Sequence, residues 1–501
     1  MSITLVLEMA ASGLGDRLAV GRRGEGLTYT DLHRRAANGA AGFLAAGVRH
    51  VAYLGTAGDA FPVALFAAAW AGIPFVPLNF RLGDDQLDTV LGELEDALVI
   101  ADATSLPRAE GHGHTVVERD VWLSSTDTAA TPPTPADDDS AVALLLYTSG
   151  TTSRPKAAVL RHRHLLSYLL GSLEFGGADA AEAALVSVPP YHIAGVTSVL
   201  SNVYTGRRIV FLDAFTPARW LEVALEEEAT HAMLVPTMLA RIVEALDKAG
   251  ATDAGLDALA SIAYGGARMP ITVLERALDL FPATGFVNAY GLTETSSTIA
   301  LLGPEDHRAA RDGDPVARAR LRSAGKLIAG IEVQVRGDEG EEMAIGEIGE
   351  LWVRGDQVSG EYVGQAPAPD GDRWFSTRDR AWVDEQGYLF IEGRSDDTII
   401  RGGENIAPTE IEDVLLEHPA VFQAAVVGIP DDEWGQRIGA AVVLREENGV
   451  TASELREWTR ERLRSSKTPE ELVLWPALPH TDTGKLLRRE VLAGLLRAEV
   501  K

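Results

Sequence analysis

The sequence predicts an α/β protein: a large N-terminal domain of doubly wound α/β layers with a small β subdomain, then a small α+β C-terminal domain. Three observations carry this. Helical and strand patterns alternate over roughly the first 130 residues and resume after position 140. From Ile328 to Tyr362 the pattern turns to short strands with Gly turns. After Gly393 comes a compact tail with its own helices and strands. These shifts divide the chain into residues 1–395 and 396–501, with the boundary at Asp396.

In chain order, Thr30 is the expected cap of a helix through Asp31–Ala46, ended near Gly47. His50–Leu54 reads as a strand, Ala60–Ala71 as a helix and Pro74–Leu78 as a buried strand. Gln86–Asp96 reads as a helix and Ala97–Ala101 as a strand. Ser124–Asp139, rich in Thr, Pro, Ala and Asp, is expected to be a surface loop. The second stretch carries apolar strands at Ala141–Leu146, Ala184–Val188, Arg208–Phe211 and Ala232–Val235. In the tail, helices are expected at Thr409–Glu417 and Ala452–Leu463, and strands at Gln423–Val427 and Gly439–Leu444.

Composition narrows the function classes. Against 45 Lys+Arg stand 73 Asp+Glu, a net charge of −28, which argues against general binding to nucleic acid or an anionic membrane. A phosphate ligand in a local basic pocket stays compatible, because surface charge is screened beyond ~8 Å. The absence of cysteine removes disulfides, thiolate metal sites and a Cys nucleophile, and fits a reducing compartment. Met1–Gly13 lacks the basic start of a signal peptide. The longest apolar run, Pro62–Leu78, is broken by Gly72 and Pro74 and reads as core. A cytoplasmic protein is the expectation.

The sharpest segment is Tyr147-Thr148-Ser149-Gly150-Thr151-Thr152-Ser153-Arg154-Pro155-Lys156, at the end of an apolar strand. Its hydroxyls and backbone N–H groups can face an anion, and Lys156 adds a point charge. It is not a Walker loop. The segment resembles the Y-T-S-G-T-T-G-x-P-K-G loop of the adenylate-forming superfamily: acyl-CoA synthetases, aryl-CoA ligases, luciferases and peptide-synthetase adenylation domains. Ser153 and Ala157 stand where that family has Gly.

Further segments follow in the family's order. Tyr290-Gly291-Leu292-Thr293-Glu294 resembles Y-G-x-T-E, which implies that Tyr290 stacks on adenine, Thr293 touches phosphate and Glu294 holds Mg²⁺. Gly265-Gly266-Ala267 resembles the segment whose backbone lies along adenine. Trp374-Phe375-Ser376-Thr377-Arg378-Asp379 is similar to W-F-x-T-G-D, in which Asp379 would accept the ribose hydroxyls; Arg378 replaces Gly. Arg394 would bind ribose or phosphate, and Asp396 matches the hinge. Gly402 and Gly403 match the turn lining the thiol tunnel, and Lys485, in Pro479-His480-Thr481-Asp482-Thr483-Gly484-Lys485, matches the mobile catalytic lysine.

The resemblance implies two half-reactions. A carboxylate attacks the α-phosphate of Mg-ATP, releasing pyrophosphate; a thiol then attacks the acyl-adenylate after the mobile small domain has rotated. Lys485, Glu294, Thr293 and Lys156 are the catalytic candidates, and Thr148, Ser149, Gly150, Thr151, Thr152, Gly266, Ala267, Tyr290, Asp379 and Arg394 the nucleotide-binding ones. Pro189-Pro190-Tyr191-His192 resembles P-x-x-H and puts His192 beside the acid, with Val235, Pro236, Tyr264, Asn288 and Ala289 as further pocket positions; a packed core histidine is the alternative for His192. Trp434 and Lys467 are placed on the coenzyme A path with Gly402 and Gly403, and core packing is the alternative for Trp434.

The chain ends shortly after Lys485 with no attached carrier domain, so coenzyme A is the expected acceptor. A separate carrier protein and a second copy of the chain stay open as partners. The competing readings are an adenylating enzyme that loads a carrier and a non-catalytic acyl-adenylate-binding protein. Fatty, aryl and polycyclic acids all stay open as substrates.

Overall fold

The computed structural model describes residues 1–128, 131–148, 156–365, 374–431, 433–445, 449–481 and 485–499. Among them the strands form five sheets. One has six strands in the order Thr115–Glu118, Ala97–Ala101, His50–Leu54, Phe75–Pro77, Val142–Thr148 and Lys156–Arg161. Its neighbours are parallel except for the last strand, which returns antiparallel. A nine-stranded sheet runs Lys326–Leu327, Ser297–Leu302, Gly285–Leu292, Ser261–Gly265, His231–Leu234, Ala183–Val186, Arg208–Phe211, Leu18–Arg22 and Glu25–Thr28. Its central strands are parallel and its edges antiparallel.

The two sheets share one core. Val51, Tyr53, Phe61 and Phe66 pack in the same cluster as Val20, Leu185 and Ile209. The helix Ala60–Ala71 is buried on nearly every face, which explains its lack of a polar stripe. Each large side chain so buried contributes about 1.5–3 kcal/mol. Among the described residues no helix is long and apolar enough to cross a membrane.

Several boundaries differ from expectation for identifiable reasons. The first long helix is Tyr29–Ala46, capped by Thr28 rather than Thr30. Asp31 lies three residues after Thr28, so only Thr28 can close the reciprocal box: its hydroxyl accepts from the Asp31 N–H at 3.1 Å, and the Asp31 carboxylate accepts from the Thr28 N–H at 3.4 Å. Gly47 ends the helix at φ 65°. The next exposed helix is Asp84–Gly92, not Gln86–Asp96, because Asp84 and Asp85 suit a first turn and Asp96 takes a left-handed φ of 43°. In the expected loop, residues 124 and 125 are still helical, and the Trp70 indole donates to the Pro133 carbonyl at 2.8 Å.

The β subdomain reaches further than Tyr362. It is an antiparallel sheet of Glu332–Arg336, Gly349–Arg354, Phe375–Val383 and Leu389–Arg394. The smaller C-terminal part holds the hairpin Ile399–Arg401/Glu404–Ile406, the sheet Val421–Asp431, Gly435–Leu444 and Glu471–Leu474, and the helices Pro408–Leu416, Ala452–Arg462 and Arg488–Glu499. Its clusters, around Ile411 and Ile438 and around Ile429 and Leu495, draw on side chains after residue 398. A cavity of about 500 Å³ lies on the seam between the four-stranded sheet and the hairpin, lined by Arg336, Trp352, Arg380, Ser395, Thr398 and Asn405 among others.

Arg378 occupies a left-handed backbone position, φ 58°, with its side chain exposed. A non-glycine residue there costs roughly 1–2 kcal/mol, partly offset by the extra freedom glycine has when unfolded. Arg378→Gly is therefore expected to raise unfolding free energy by about 0.5–1 kcal/mol, and Arg378→Ala to give no such gain. Urea unfolding of the three proteins checks this.

Candidate active site

The motif residues gather where the parallel strands end. Gly265 closes Ser261–Gly265 and leads into Gly266 and Ala267; Gly285–Leu292 carries Tyr290 and leads into the one-turn helix Thr293–Thr295; His231–Leu234 leads into Val235 and Pro236; Val142–Thr148 ends at Thr148. Loops at the carboxyl ends of parallel strands form the open crevice of such sheets. Two close approaches need glycine: a Cβ on Gly265 would stand 2.3 Å from the Ala289 carbonyl oxygen, and one on Gly291 would stand 1.8 Å from that of Ser297.

The polar centre is built on Asp379. Its strand pairs it directly with Arg394, and the Arg394 Nε lies 3.3 Å from its carboxylate. The Tyr290 hydroxyl donates to the other carboxylate oxygen at 2.5 Å, across from the nine-stranded sheet. Thr377 accepts from the Asp379 N–H at 3.1 Å, and Arg394 Nη1 donates to the Thr377 carbonyl at 2.9 Å. Asp379 is 7 % exposed. Burial pushes its carboxyl above the usual range, while Arg394, the Tyr290 hydroxyl and Lys485 pull it down. Burial also holds the Tyr290 phenol well above its ordinary value.

Lys485 reaches this cluster from the small domain. Desolvation holds its ammonium below the ordinary lysine range; Arg394 adds to that, and Asp379, Asp397 and Glu294 oppose it. The residue as a whole is exposed, so the surrounding protein desolvates the ammonium while a path to solvent stays open. Ion pairs join the two domains in this arrangement: Arg268 to Asp413 at 2.6 Å and Arg322 to Glu417 at 3.3 Å. The Thr409 hydroxyl also donates to the Glu392 carbonyl at 2.6 Å.

Glu294 is 8 % exposed. Its carboxylate accepts from the Tyr362 hydroxyl, and its carbonyl accepts from the Ser359 N–H at 2.8 Å. Among the described residues no group of three or more His, Asp or Glu could hold a metal ion. A single carboxylate suits magnesium that arrives on phosphates and keeps its waters, so the donor set fits Mg-ATP. Thr148 and Lys156 are register partners, and the Thr148 hydroxyl donates to the Lys156 carbonyl at 3.3 Å, which joins the two ends of the phosphate segment. Ser149, Gly150, Thr151 and Thr152, with Ser153, lie outside the described residues, as do Asp482, Thr483 and Gly484.

The acid-pocket candidates divide. His192 immediately precedes the helix Ile193–Thr205 and packs on Tyr191 at 4.8 Å between ring centroids, and Phe80 meets Tyr191 edge-on at 5.5 Å. Val235 lies 3.8 Å from where a Cβ on Gly266 would stand, and Pro236 opens the helix Pro236–Lys248. Tyr264 is a correction. It is 0 % exposed, and its hydroxyl bonds to His307 Nε2 at 2.8 Å, so it belongs to the interior and not to a pocket wall. Asn288, its register partner, turns its amide to the Ser323 carbonyl at 2.9 Å.

On the small domain, Trp434 is not core: it is 45 % exposed. It stacks on the turn at Gly402, whose Cβ would meet the indole at 3.0 Å, and the Arg401 guanidinium lies 5.2 Å from its ring. Gly402 and Gly403 take φ of 56° and 83°. Lys467 does not join this cluster by any direct bond; its ammonium pairs with Glu410 at 2.5 Å. Asp396 lies exposed on the turn Ser395–Asp397. Tyr362 is the residue the motifs did not single out. Its only sequence signal is an aromatic after Ser359-Gly360-Glu361, and its role depends on a long-range bridge to Ala158.

Comparison with known proteins covers both parts of the chain. Residues 7–363 match the family described as AMP-binding enzyme, and residues 410–485 the AMP-binding enzyme C-terminal domain. A feruloyl-CoA synthase of Amycolatopsis sp. is 36% identical over 94% of this chain and 95% of its own. A fatty acid–acyl-carrier-protein ligase, ScoC, of Streptomyces coeruleorubidus is 32% identical over 93% of this chain and 91% of its own. The o-succinylbenzoate CoA synthetase of Bacillus subtilis, solved with its acyl-adenylate intermediate, superposes with a TM-score of 0.84 at 28% identity, over 97% of both chains; the same enzyme solved with ATP and magnesium ion gives 0.83 at 28% identity over 97% of this chain and 98% of that one. The chain belongs to the AMP-binding enzyme family, with both its large domain and its C-terminal domain present.

Proposed function

We propose that this protein is an acid–CoA ligase that activates an aromatic carboxylic acid. It is an AMP-forming acid–thiol ligase: the acid and Mg-ATP give an acyl-adenylate and pyrophosphate, and coenzyme A then takes the acyl group, releasing AMP. The single observation that carries the chemistry is the pairing of buried Asp379 with Arg394 beside buried Glu294, with the Lys485 charge acting on all three. The aromatic class is supported by the similarity to a feruloyl-CoA synthase and by the Phe80–Tyr191–His192 aromatic cluster at the expected acid site.

In this reading Asp379 accepts the ribose hydroxyls, held ready by Arg394 and Tyr290. Gly265 and Gly266 let backbone lie against the adenine. The acid's oxygen attacks the α-phosphorus and the bond to pyrophosphate breaks. Lys485 offsets the charge spreading over the phosphate oxygens, and Lys156 and the hydroxyl segment hold the departing pyrophosphate. Magnesium, when bound with ATP, supplies further charge neutralisation; Glu294 would hold it there, with Thr293 touching the phosphate. The small domain then turns about Asp396, taking Lys485 away and bringing the Gly402–Trp434 surface toward the adenylate. A second reading, transfer to a carrier protein, is favoured by the similarity to ScoC.

The test is pyrophosphate release across aromatic, fatty and polycyclic acids, followed by thioester formation with coenzyme A or a phosphopantetheinyl carrier. Aromatic acids are expected to give the highest kcat/KM; a fatty acid ahead by tenfold rejects the substrate class. Lys485→Ala is expected to lower adenylate formation by at least about 100-fold, the scale of one lost transition-state donor, yet spare thioester formation from supplied acyl-adenylate. Asp396→Pro is expected to do the reverse by stiffening the hinge. Trp434→Ala is expected to raise the KM for coenzyme A about tenfold, with pyrophosphate release unchanged, roughly the loss of one stacking contact.

A further inference from the structure

We propose that Tyr362 is a positioning residue that orients the Glu294 carboxylate for the metal and keeps the Lys156 ammonium in register for the triphosphate. This rests on the reading of Glu294 as the magnesium-holding group. Glu294 sits on a single helical turn, Thr293–Thr295, followed by Ser296 and Ser297 at φ of 53° and 105°. So short and strained a segment does not fix a side chain by itself. A strap from 357 to 363 fixes it. The Gln357 amide donates to the carbonyls of Thr295 at 2.9 Å and Thr298 at 2.8 Å, and the Ser359 N–H donates to that of Glu294 at 2.8 Å. The strap ends on Tyr362, whose hydroxyl donates to the Glu294 carboxylate.

The same strap is stitched to the strand that begins at Lys156. The Val159 N–H donates to the Glu361 carbonyl at 2.9 Å, the Val363 N–H to that of Ala157 at 2.9 Å, and Arg161 pairs with Glu361 at 2.7 Å. The Lys156 ammonium lies 5.9 Å above the Tyr362 ring. One side chain thus meets both groups, its hydroxyl on the Glu294 carboxylate and its ring under the Lys156 ammonium. A hydroxyl donor occupies one carboxylate lone pair and leaves the anion able to bind a cation, and its bond orients that anion.

Tyr362→Phe keeps the ring and removes the hydroxyl; Tyr362→Leu removes both. The probe is Mn²⁺ in place of Mg²⁺, titrated into the protein–ATP complex and read by electron paramagnetic resonance. Tyr362→Phe is expected to weaken Mn²⁺ binding about 10–100-fold, the usual effect of losing a partner of a metal ligand. Its pyrophosphate release is expected to fall at low Mg²⁺ and recover at high Mg²⁺, which a folding defect would not do. Tyr362→Leu is expected to add a rise in the KM for ATP that Mg²⁺ does not restore. Glu294→Gln separates the two claims. Affinity lost in Glu294→Gln but kept in Tyr362→Phe overturns the Tyr362 assignment alone. Affinity kept in Glu294→Gln overturns the metal reading of Glu294 and the assignment with it.

Discussion

A carboxylate taken out of water must find partners, and Asp379 finds them in separate parts of the chain. Tyr290 comes from the end of the nine-stranded sheet and Arg394 from the last strand of the β subdomain, and the charge of Lys485 acts on it from the small domain. Each unit folds around its own apolar cluster, and at the site their polar groups meet around one acid. Removing a single partner would leave a buried charge short of compensation, which is the costly outcome for such groups. The strand pairing that places Arg394 opposite Asp379 is therefore a requirement of the site as well as of the sheet.

The net charge of −28 takes on a different meaning in this light. An acidic protein that handles triphosphate needs few cations, provided they are concentrated. Arg394 and Lys485 face the same centre, with Lys156 one aromatic ring away from Glu294. Most of the acidic excess is solvated and screened. Asp379 and Glu294 are buried acids at this centre, and each has a hydroxyl or guanidinium donor from another element.

Much of this was legible in the sequence, for a physical reason. Contacts to phosphate, ribose and adenine demand particular donors and particular backbone freedom at short spacings, so a local reading picks out Gly265-Gly266, Tyr290 and Asp379 as candidates, and the fold brings Tyr290 onto Asp379. What could not be read depends on pairing across long separations. Tyr362 matters because Ala158 lies beside it, and Tyr264 leaves the pocket because His307 lies behind it. Trp434 looked equally suited to a core, and only the fold of the Gly402 turn beneath it decides for the surface. Thr28 and Thr30 both suit a cap, and the spacing to Asp31 decides between them.

The proposed rotation requires that the seam between the domains be weakly held. Its ion pairs, Arg268–Asp413 and Arg322–Glu417, involve partly exposed side chains, and pairs of that kind contribute roughly 0.2–1 kcal/mol each. Together they amount to about 0.4–2 kcal/mol, a bias of roughly 2- to 30-fold toward the arrangement in which Lys485 faces the nucleotide site. A cavity on the same seam takes away packing that would otherwise hold it shut. The apolar clusters on either side keep to their own domains, so rotation exposes no core. A bias of this size lets the product of the first half-reaction reverse the preference. In the proposed reaction, pyrophosphate release leaves Lys485 less negative charge to face, and the seam is then held by these weak pairs and the Thr409–Glu392 hydrogen bond.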